Sequence, residues 1–309
     1  MAGLIDYAGL FPPAGLDLPS AVAAYQSYRR GRMAWVLGRF VVGAARLGEL
    51  SSVARRALPA GAGAVPWRVS ALIGTDVAAD LARIDTFNAR HAQDEHGQAI
   101  VDGVEVKVGG PGDVARVAAL LPRGPRVACE VPLDADLDAV VQAIGDVGGV
   151  AKARLGGVVP EAIPAVERVA AWIWCAARHG VAIKATAGLH HPVRGEYRLT
   201  YEPDAPKAVM HGFVNVFAAA CLAERAVAAG ERGEVPGPVL ELLAESDPTA
   251  FRFGDSAVRW RDVTVASDEL ERTRARFALS FGSCSFEEPI EGLRLVAAGG
   301  LRLEPGSPL

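Results

Sequence analysis

The chain has 309 residues, of which 50% are hydrophobic and 22% charged, and its formal net charge at pH 7 is −4. This composition excludes an intrinsically disordered chain and a strongly basic nucleic-acid-binding surface, so it favours a small molecule as the partner. The length fits either two average domains or one α/β barrel.

Cysteine spacing and the absence of targeting signals indicate the compartment. The four cysteines are far apart and show no zinc-site spacing, which is typical of reduced thiols in a core. The first residues lack the pattern of a signal peptide, and no run of about 18 apolar residues predicts a membrane span. We therefore expect a soluble cytoplasmic protein that binds neither membranes nor nucleic acid.

Eight short runs rich in β-branched residues, taken in chain order, predict β-strands. Amphipathic segments between them predict helices, as in the apolar stripe formed by Val77, Leu81 and Ile84. This alternation predicts an α/β fold, a (β/α)8 barrel of the TIM type, in one domain over 1–309. An open doubly wound sheet is the alternative, but no GxGxxG motif opens the first helix. The predicted strands cover residues 4–11, 36–42, 67–74, 103–108, 126–131, 149–155, 181–186 and 277–286.

The segment 187–276 breaks the alternation. It contains a long loop, a predicted helix around 208–230, a Pro/Gly-rich stretch and a predicted hairpin before the last strand. We interpret it as an elaboration near the barrel mouth. A separate C-terminal subdomain from about residue 235 is the competing interpretation.

Four consecutive strands carry charged side chains on one face. Successive residues of a strand point to opposite faces, so Val104, Val106 and Val108 leave Glu105 and Lys107 on the other face. The same parity predicts a charged barrel lumen lined by Glu105, Lys107, Glu130, Lys152, Arg154, Lys184 and Thr186. One explanation is structural, with Lys107–Glu130 and Glu105–Lys152 as ion pairs that fill the barrel. The other is an active site, because these residues lie toward the carboxyl ends of their strands.

Lys184 in "GVAIKATAGLHHP" is the candidate nucleophile. A lysine amine attacks a carbonyl only when neutral, so its pKa has to fall from about 10.4 to about 7. Burial and the nearby cations Lys152 and Arg154 favour such a shift. Glu130, Lys107 and Thr186 would move protons or bind substrate.

The segment Lys184-Ala185-Thr186-Ala187-Gly188 resembles the lysine segments that end late strands in the deoxyribose-phosphate aldolase group of class I aldolases. The resemblance covers about five residues and implies a lyase of aldolase type, in which Lys184 or Lys152 forms a Schiff base and the other activates it. The earlier strands show no clear counterpart of that family's catalytic aspartate. The whole chain also resembles a bacterial protein family with a TIM-barrel pattern, which implies no particular mechanism.

His190 and His191 are adjacent, so their rings diverge in an extended segment, and we expect only one to reach the site as an acid or base. The metal alternative, a hydrolase or lyase, uses one of them with His211 and a carboxylate such as Glu130 or Asp6. No HxH or HExxH spacing is present, so we expect neither a metal nor another cofactor.

Anion recognition is assigned to strand ends and turns. Arg154 is followed by Gly156 and Gly157, whose backbone N–H groups would hold a phosphate or carboxylate, although glycines also serve simply to make a turn. Arg39 and Arg194 add positive charge. A phosphoribosyltransferase of the quinolinate type therefore stays open as an alternative.

The remaining expectations concern the strand ends, a non-catalytic alternative and the surface. Asp6 on the first strand is expected to line the site, whereas Cys284 has no histidine near it in the sequence and is disfavoured as a nucleophile. A non-catalytic protein that binds an anionic metabolite is the remaining alternative. A homo-oligomer also stays open, with its surface marked by Trp172, Trp174 and Trp260.

Overall fold

Eight parallel strands form a closed barrel in the computed structural model, which describes residues 2–299 except 62, 122–125 and 135. The first strand pairs with the second and with the last, so the sheet has no free edge. The predicted (β/α)8 fold is confirmed, and each predicted strand coincides with one strand of the barrel. These are β1 (Ile5–Tyr7), β2 (Leu37–Gly43), β3 (Trp67–Leu72), β4 (Ala99–Lys107), β5 (Arg126–Glu130), β6 (Val150–Arg154), β7 (Ala182–Thr186) and β13 (Ala278–Ser283).

Helices cover the outside of the barrel. Their starts follow ordinary capping chemistry: the Asp17 carboxylate accepts a hydrogen bond from Ser20 N, and the Asp76 carboxylate one from Ala79 N. The helices are α1 (Leu18–Arg30), α2 (Leu47–Val53), α3 (Val77–His91), α4 (Pro111–Leu120), α5 (Leu137–Asp146), α6 (Val166–His179), α7 (Phe213–Ala228), α8 (Gly237–Ala244), α9 (Ser267–Arg276) and α10 (Glu287–Ala297). None of the helices that the structure describes combines the length and apolar composition needed to cross a membrane.

The core lies mainly between the barrel wall and the helices. On the β1–β3 side it is aromatic: the rings of Tyr25 and Trp67 are 4.7 Å apart between centroids, and those of Tyr25 and Phe40 are 5.3 Å apart. Tyr7 packs beside them, so its strand neighbour Asp6 must face the lumen. Outward apolar residues thus fix which side chains point inward.

The segment 187–276 divides between the mouth and the helix layer. It begins with a hairpin of β8 (Gly195–Arg198) and β9 (Lys207–Met210), whose turn reaches the barrel mouth. Helices α7 and α8 pack against α6, and α9 leads into β13. The hairpin predicted near residue 260 is a three-stranded sheet of β10 (Phe251–Phe253), β11 (Ala257–Trp260) and β12 (Val263–Ala266).

The three tryptophans expected on an oligomer surface are buried. Trp172 and Trp174 are buried in α6, which packs against α7 and α8. Trp174 donates to the carbonyl of Gly233, and Trp260 donates to the Glu245 carboxylate. The expectation was wrong because the elaboration gives these residues a second layer to pack against.

Candidate active site

Three lumen-facing side chains on β4, β5 and β6 are joined by ion pairs. Lys152 Nζ lies 2.8 Å from Glu105 Oε2 and 2.6 Å from Glu130 Oε2. Strand pairing sets this geometry, because Glu130 and Lys152 are register partners on β5 and β6. The alternation of side chains along the strands predicts that these three residues share the lumen face, and they meet there.

Lys184 extends the chain of charges toward the first strand. Its Nζ lies 2.7 Å from Glu105 Oε1 and 2.6 Å from Asp6 Oδ2, and Lys184 is the register partner of Lys152. Asp6, Lys184, Glu105, Lys152 and Glu130 thus alternate in charge, and we call these five residues the lumen network. Carboxylate oxygens of the network also accept hydrogen bonds from Ser280 and Ser70.

Ion pairing decides the protonation of Lys184 and Glu105. Burial alone would lower the pKa of Lys184, but attraction to Asp6 and Glu105 and hydrogen bonds to both raise it above its ordinary value. Burial would raise the pKa of Glu105, yet Lys184 and Lys152 hold it well below its usual range. At neutral pH, Lys184 is therefore an ammonium group held between two carboxylates.

A cleft of about 580 Å³ opens at the ends of β4, β5 and β6. Glu130 belongs both to the lumen network and to the cleft wall, so it connects Lys152 with the cleft. Lys107 and Arg154 end β4 and β6, two residues beyond Glu105 and Lys152 on the same faces. The wall also includes Asp134, Glu161 and Arg168.

The structural explanation of the charged lumen holds in part. The expected Glu105–Lys152 ion pair is present, whereas Glu130 bonds to Lys152 and lies 3.7 Å from Arg154 Nε. Lys107 is exposed on the cleft wall. The lumen network is thus shielded from solvent around Lys184 and reaches solvent at Glu130.

Arg39 and Arg194 have partners away from the cleft. Arg39 pairs with Asp102, which precedes Glu105 on β4, so it lies nearer the opposite end of the lumen. The guanidinium of Arg194 lies 3.5 Å from the carbonyl of Ala244 at the end of α8. The structure does not bring these two arginines to Lys152.

Gly156 and Gly157 follow β6, and Gly156 packs against the loop after β7. A Cβ on Gly156 would lie 2.8 Å from the Cα of Gly188, and a Cβ on Gly157 would lie 2.6 Å from Ala162 Cβ. Their small size is therefore needed for close packing of the loops. Thr186 ends β7 as the register partner of Arg154.

His190 lies at the barrel mouth beside two residues that the sequence did not connect with it. Its Nδ1 is 2.8 Å from Glu288 Oε2, and its Nε2 is 3.8 Å from Cys284 Sγ. Burial would lower the pKa of His190, but the interactions with Cys284 and Glu288 raise it to about 10. No sequence signal revealed this cluster, because Cys284 and His190 are 94 residues apart.

The other two candidate histidines are held elsewhere. The His191 ring stacks on Tyr197 with centroids 3.5 Å apart, and burial lowers its pKa to about 3. His211 Nε2 lies 2.8 Å from the carbonyl of Pro164.

The metal alternative therefore lacks its ligand set in the described part of the chain. The one group there of three residues with metal-ligand spacing, Asp138, Cys175 and His179, lies on α5 and α6 outside the barrel.

Comparison of the chain with protein-family models, with curated proteins and with solved structures found no match. The chemistry of the site therefore has to be inferred from its own geometry.

Proposed function

We propose that the lumen network is the active site of an enzyme that acts on a small anionic carbonyl compound through a lysine Schiff base, in the manner of an aldolase or lyase. The observation that carries this proposal is the pair of buried lysines on neighbouring strands, bridged by Glu105 and reached from a cleft through Glu130. Such a pair supplies both an amine and a fixed positive charge next to it.

The two lysines have different roles in this proposal. Lys184 is held between Asp6 and Glu105, away from the cleft wall, which suits an electrostatic role. Lys152 is also held between two carboxylates, but one of them, Glu130, lies on the cleft wall and connects this lysine with an incoming substrate. We therefore assign the Schiff base to Lys152 and the fixed cation to Lys184.

Glu130 is placed to move the proton. It lies 2.6 Å from Lys152 Nζ, so it can accept the proton that makes the amine nucleophilic. It then returns this proton to the hydroxyl that leaves as water when the imine forms. The positive imine afterwards takes up the electrons of the carbon–carbon or carbon–hydrogen bond that breaks.

Lys107 and Arg154 support an anionic substrate. They end the strands that carry Glu105 and Lys152 and lie on the cleft wall, next in line beyond the nucleophile. A guanidinium and an ammonium in this position would bind a carboxylate or phosphate and turn the carbonyl carbon toward Lys152.

Borohydride trapping tests the assignment. The protein is incubated with a panel of small aldehydes and ketoacids, reduced and mapped by peptide mass spectrometry. We expect a substrate-dependent adduct on Lys152 that is lost in Lys152→Met, whereas the matched control Lys107→Met keeps the adduct but needs more substrate. An adduct on Lys184 would reverse the roles, and an adduct on neither lysine would contradict Schiff-base chemistry.

The complete pairing of Lys184 favours a second candidate, a protein that binds an anionic metabolite without reacting with it. Titration calorimetry with small carboxylates and phosphates separates the two candidates. Binding that Lys107→Met weakens, without any trapped adduct in the wild type, would support the binding protein and contradict the enzyme.

A further inference from the structure

Cys284, His190 and Glu288 come from three different elements and meet at the barrel mouth. Cys284 directly follows β13, His190 lies in the loop after β7, and Glu288 is in the first turn of α10. The histidine lies between the other two, with Nε2 near the sulfur and Nδ1 on the carboxylate. A nucleophile beside a base that a third group orients is the arrangement used in covalent catalysis.

Local structure fixes each member. Ala187 and Gly188 both have positive φ, so the chain turns sharply after β7 and carries His190 back over the mouth. Ser285 Oγ accepts a hydrogen bond from Glu288 N and fixes the start of α10. Glu288 is therefore held toward His190.

The charge of His190 determines how the cluster is bonded. With its pKa raised to about 10, the ring carries two N–H groups at neutral pH. One donates to Glu288, and the other points at the sulfur of Cys284, which must then be the acceptor.

The other three cysteines are buried thiols without a hydrogen bond to a histidine among the described contacts. Burial raises the pKa of Cys129 to about 11 and those of Cys175 and Cys221 to about 12. These thiols are inert at neutral pH and serve as internal controls.

Tyr201 supplies a fourth group. Its hydroxyl, carried by the turn between β8 and β9, lies 3.6 Å from Cys284 Sγ and 3.4 Å from Glu288 Oε2. Burial is the main cause that raises its pKa, so the hydroxyl keeps its proton and can donate to an oxygen that becomes negative beside the sulfur.

We propose that Cys284 is a second nucleophile of this protein, that His190 is its proton partner and Glu288 orients His190, and that the site takes a small activated acyl compound, an ester or a thioester. This chemical class uses every member of the cluster. Sulfur attacks the acyl carbon, Tyr201 donates to the developing oxyanion, and the leaving group needs the proton that His190 holds.

The reaction balances with water as the only co-reactant. The thiolate forms a carbon–sulfur bond to the acyl carbon, the bond to the leaving alkoxide or thiolate breaks, and His190 protonates that group. Neutral His190 then takes a proton from water, whose oxygen attacks the acyl carbon. The carbon–sulfur bond breaks, and a carboxylic acid and the original thiolate–imidazolium pair remain.

Alkylation by iodoacetamide, mapped by peptide mass spectrometry, tests the nucleophile in the intact protein. At pH 7 we expect Cys284 to react faster than Cys129, Cys175 and Cys221, whose raised pKa values keep them as thiols. His190→Asn is expected to slow alkylation of Cys284 by about tenfold or more. A wild type in which Cys284 reacts no faster than the other three cysteines would overturn the proposal.

Incubation with p-nitrophenyl acetate tests the acyl transfer. Peptide mapping is expected to find the acetyl group on Cys284 in the wild type and in the matched control Cys221→Ser, but not in Cys284→Ser. A wild type with neither acetylated Cys284 nor a release of p-nitrophenol greater than that of Cys284→Ser would contradict the assigned substrate class. This outcome leaves the lumen network unaffected, because Lys152 and Lys184 take no part in the step.

Discussion

Glu105 has two ammonium groups as its neighbours, and all three side chains are buried. The substitution Glu105→Gln keeps the shape but removes the charge that compensates Lys152 and Lys184. Because breaking a buried ion pair leaves an uncompensated charge, we expect the free energy of unfolding to fall by about 3 kcal/mol or more. Urea denaturation at pH 7 measures this change.

The exposed Arg46–Glu49 pair provides the control for this variant. Glu49→Gln removes one partner of an ion pair in solvent and is expected to leave the unfolding midpoint unchanged within error. Equal midpoints for Glu105→Gln and the wild type would show that Glu105 is not an essential counter-charge.

His191 makes the stability depend on pH on the acid side. Its pKa is about 3 in the folded protein and about 6.5 in an unfolded chain, so the unfolded chain binds the proton first as the pH falls. The contribution of neutral His191 to the free energy of unfolding is present above pH 6.5, and about 2 kcal/mol of it is lost by pH 5. His190, with its raised pKa, is protonated in both states at pH 5 and loses its contribution only as the pH rises toward 10.

The variant His191→Phe keeps an aromatic ring against Tyr197 and removes the titration. We expect its free energy of unfolding to change less between pH 7 and pH 5 than that of the wild type, by about 2 kcal/mol. Denaturation curves at the two pH values decide this. An equal fall in the free energy of unfolding of the wild type and of His191→Phe would show that His191 does not titrate as the structure indicates.

At the scale of elements, the loops after β6 and β7 touch through Gly156 and Gly188. Gly188 has φ +72°, and a Cβ there would lie 2.8 Å from Gly156 Cα. The substitution Gly188→Ala therefore adds a backbone clash to an unfavourable φ. Gly180 has φ +65° with no atom within 4 Å of a Cβ, so Gly180→Ala isolates the cost of the φ alone.

We expect Gly188→Ala to be less stable than Gly180→Ala by about 1 kcal/mol or more, since overpacking against backbone cannot relax easily. Thermal or chemical unfolding of the two variants gives the difference. Equal stabilities would mean that the two loops separate at little cost. Slower alkylation of Cys284 in Gly188→Ala would in addition connect this loop packing with the mouth.

Period-2 patterns explain how much of the structure the sequence reveals. The valines of β4 and β5 face the helices, so the charges between them had to face the lumen, and Glu105, Glu130, Lys152 and Lys184 meet there. Hydrophobic alternation is a local signal, and it also identifies all eight strands. Neither signal depends on which distant residues become neighbours.

Contacts between segments that are distant in the sequence cannot be predicted from local patterns. Asp6 bonds to Lys184 across 178 residues, and His190 meets Cys284 across 94, through loops that no periodicity describes. The tryptophans of α6 were misjudged for the same reason, because the covering helices come from a later segment. The paired position of Arg39 depends on Asp102 two strands away.

At the scale of the whole molecule, the closure of the barrel determines when the site can exist. Asp6 is in the first strand, whereas Ser280, which donates to its carboxylate, is in the last, 274 residues later. A ribosome adds about 5–20 residues per second, so β1 emerges well before the strands that complete its surroundings. The hydrogen bond from Ser280 to Asp6, and with it the complete set of contacts around the lumen network, therefore forms only after the last strand has been made and has paired with the first.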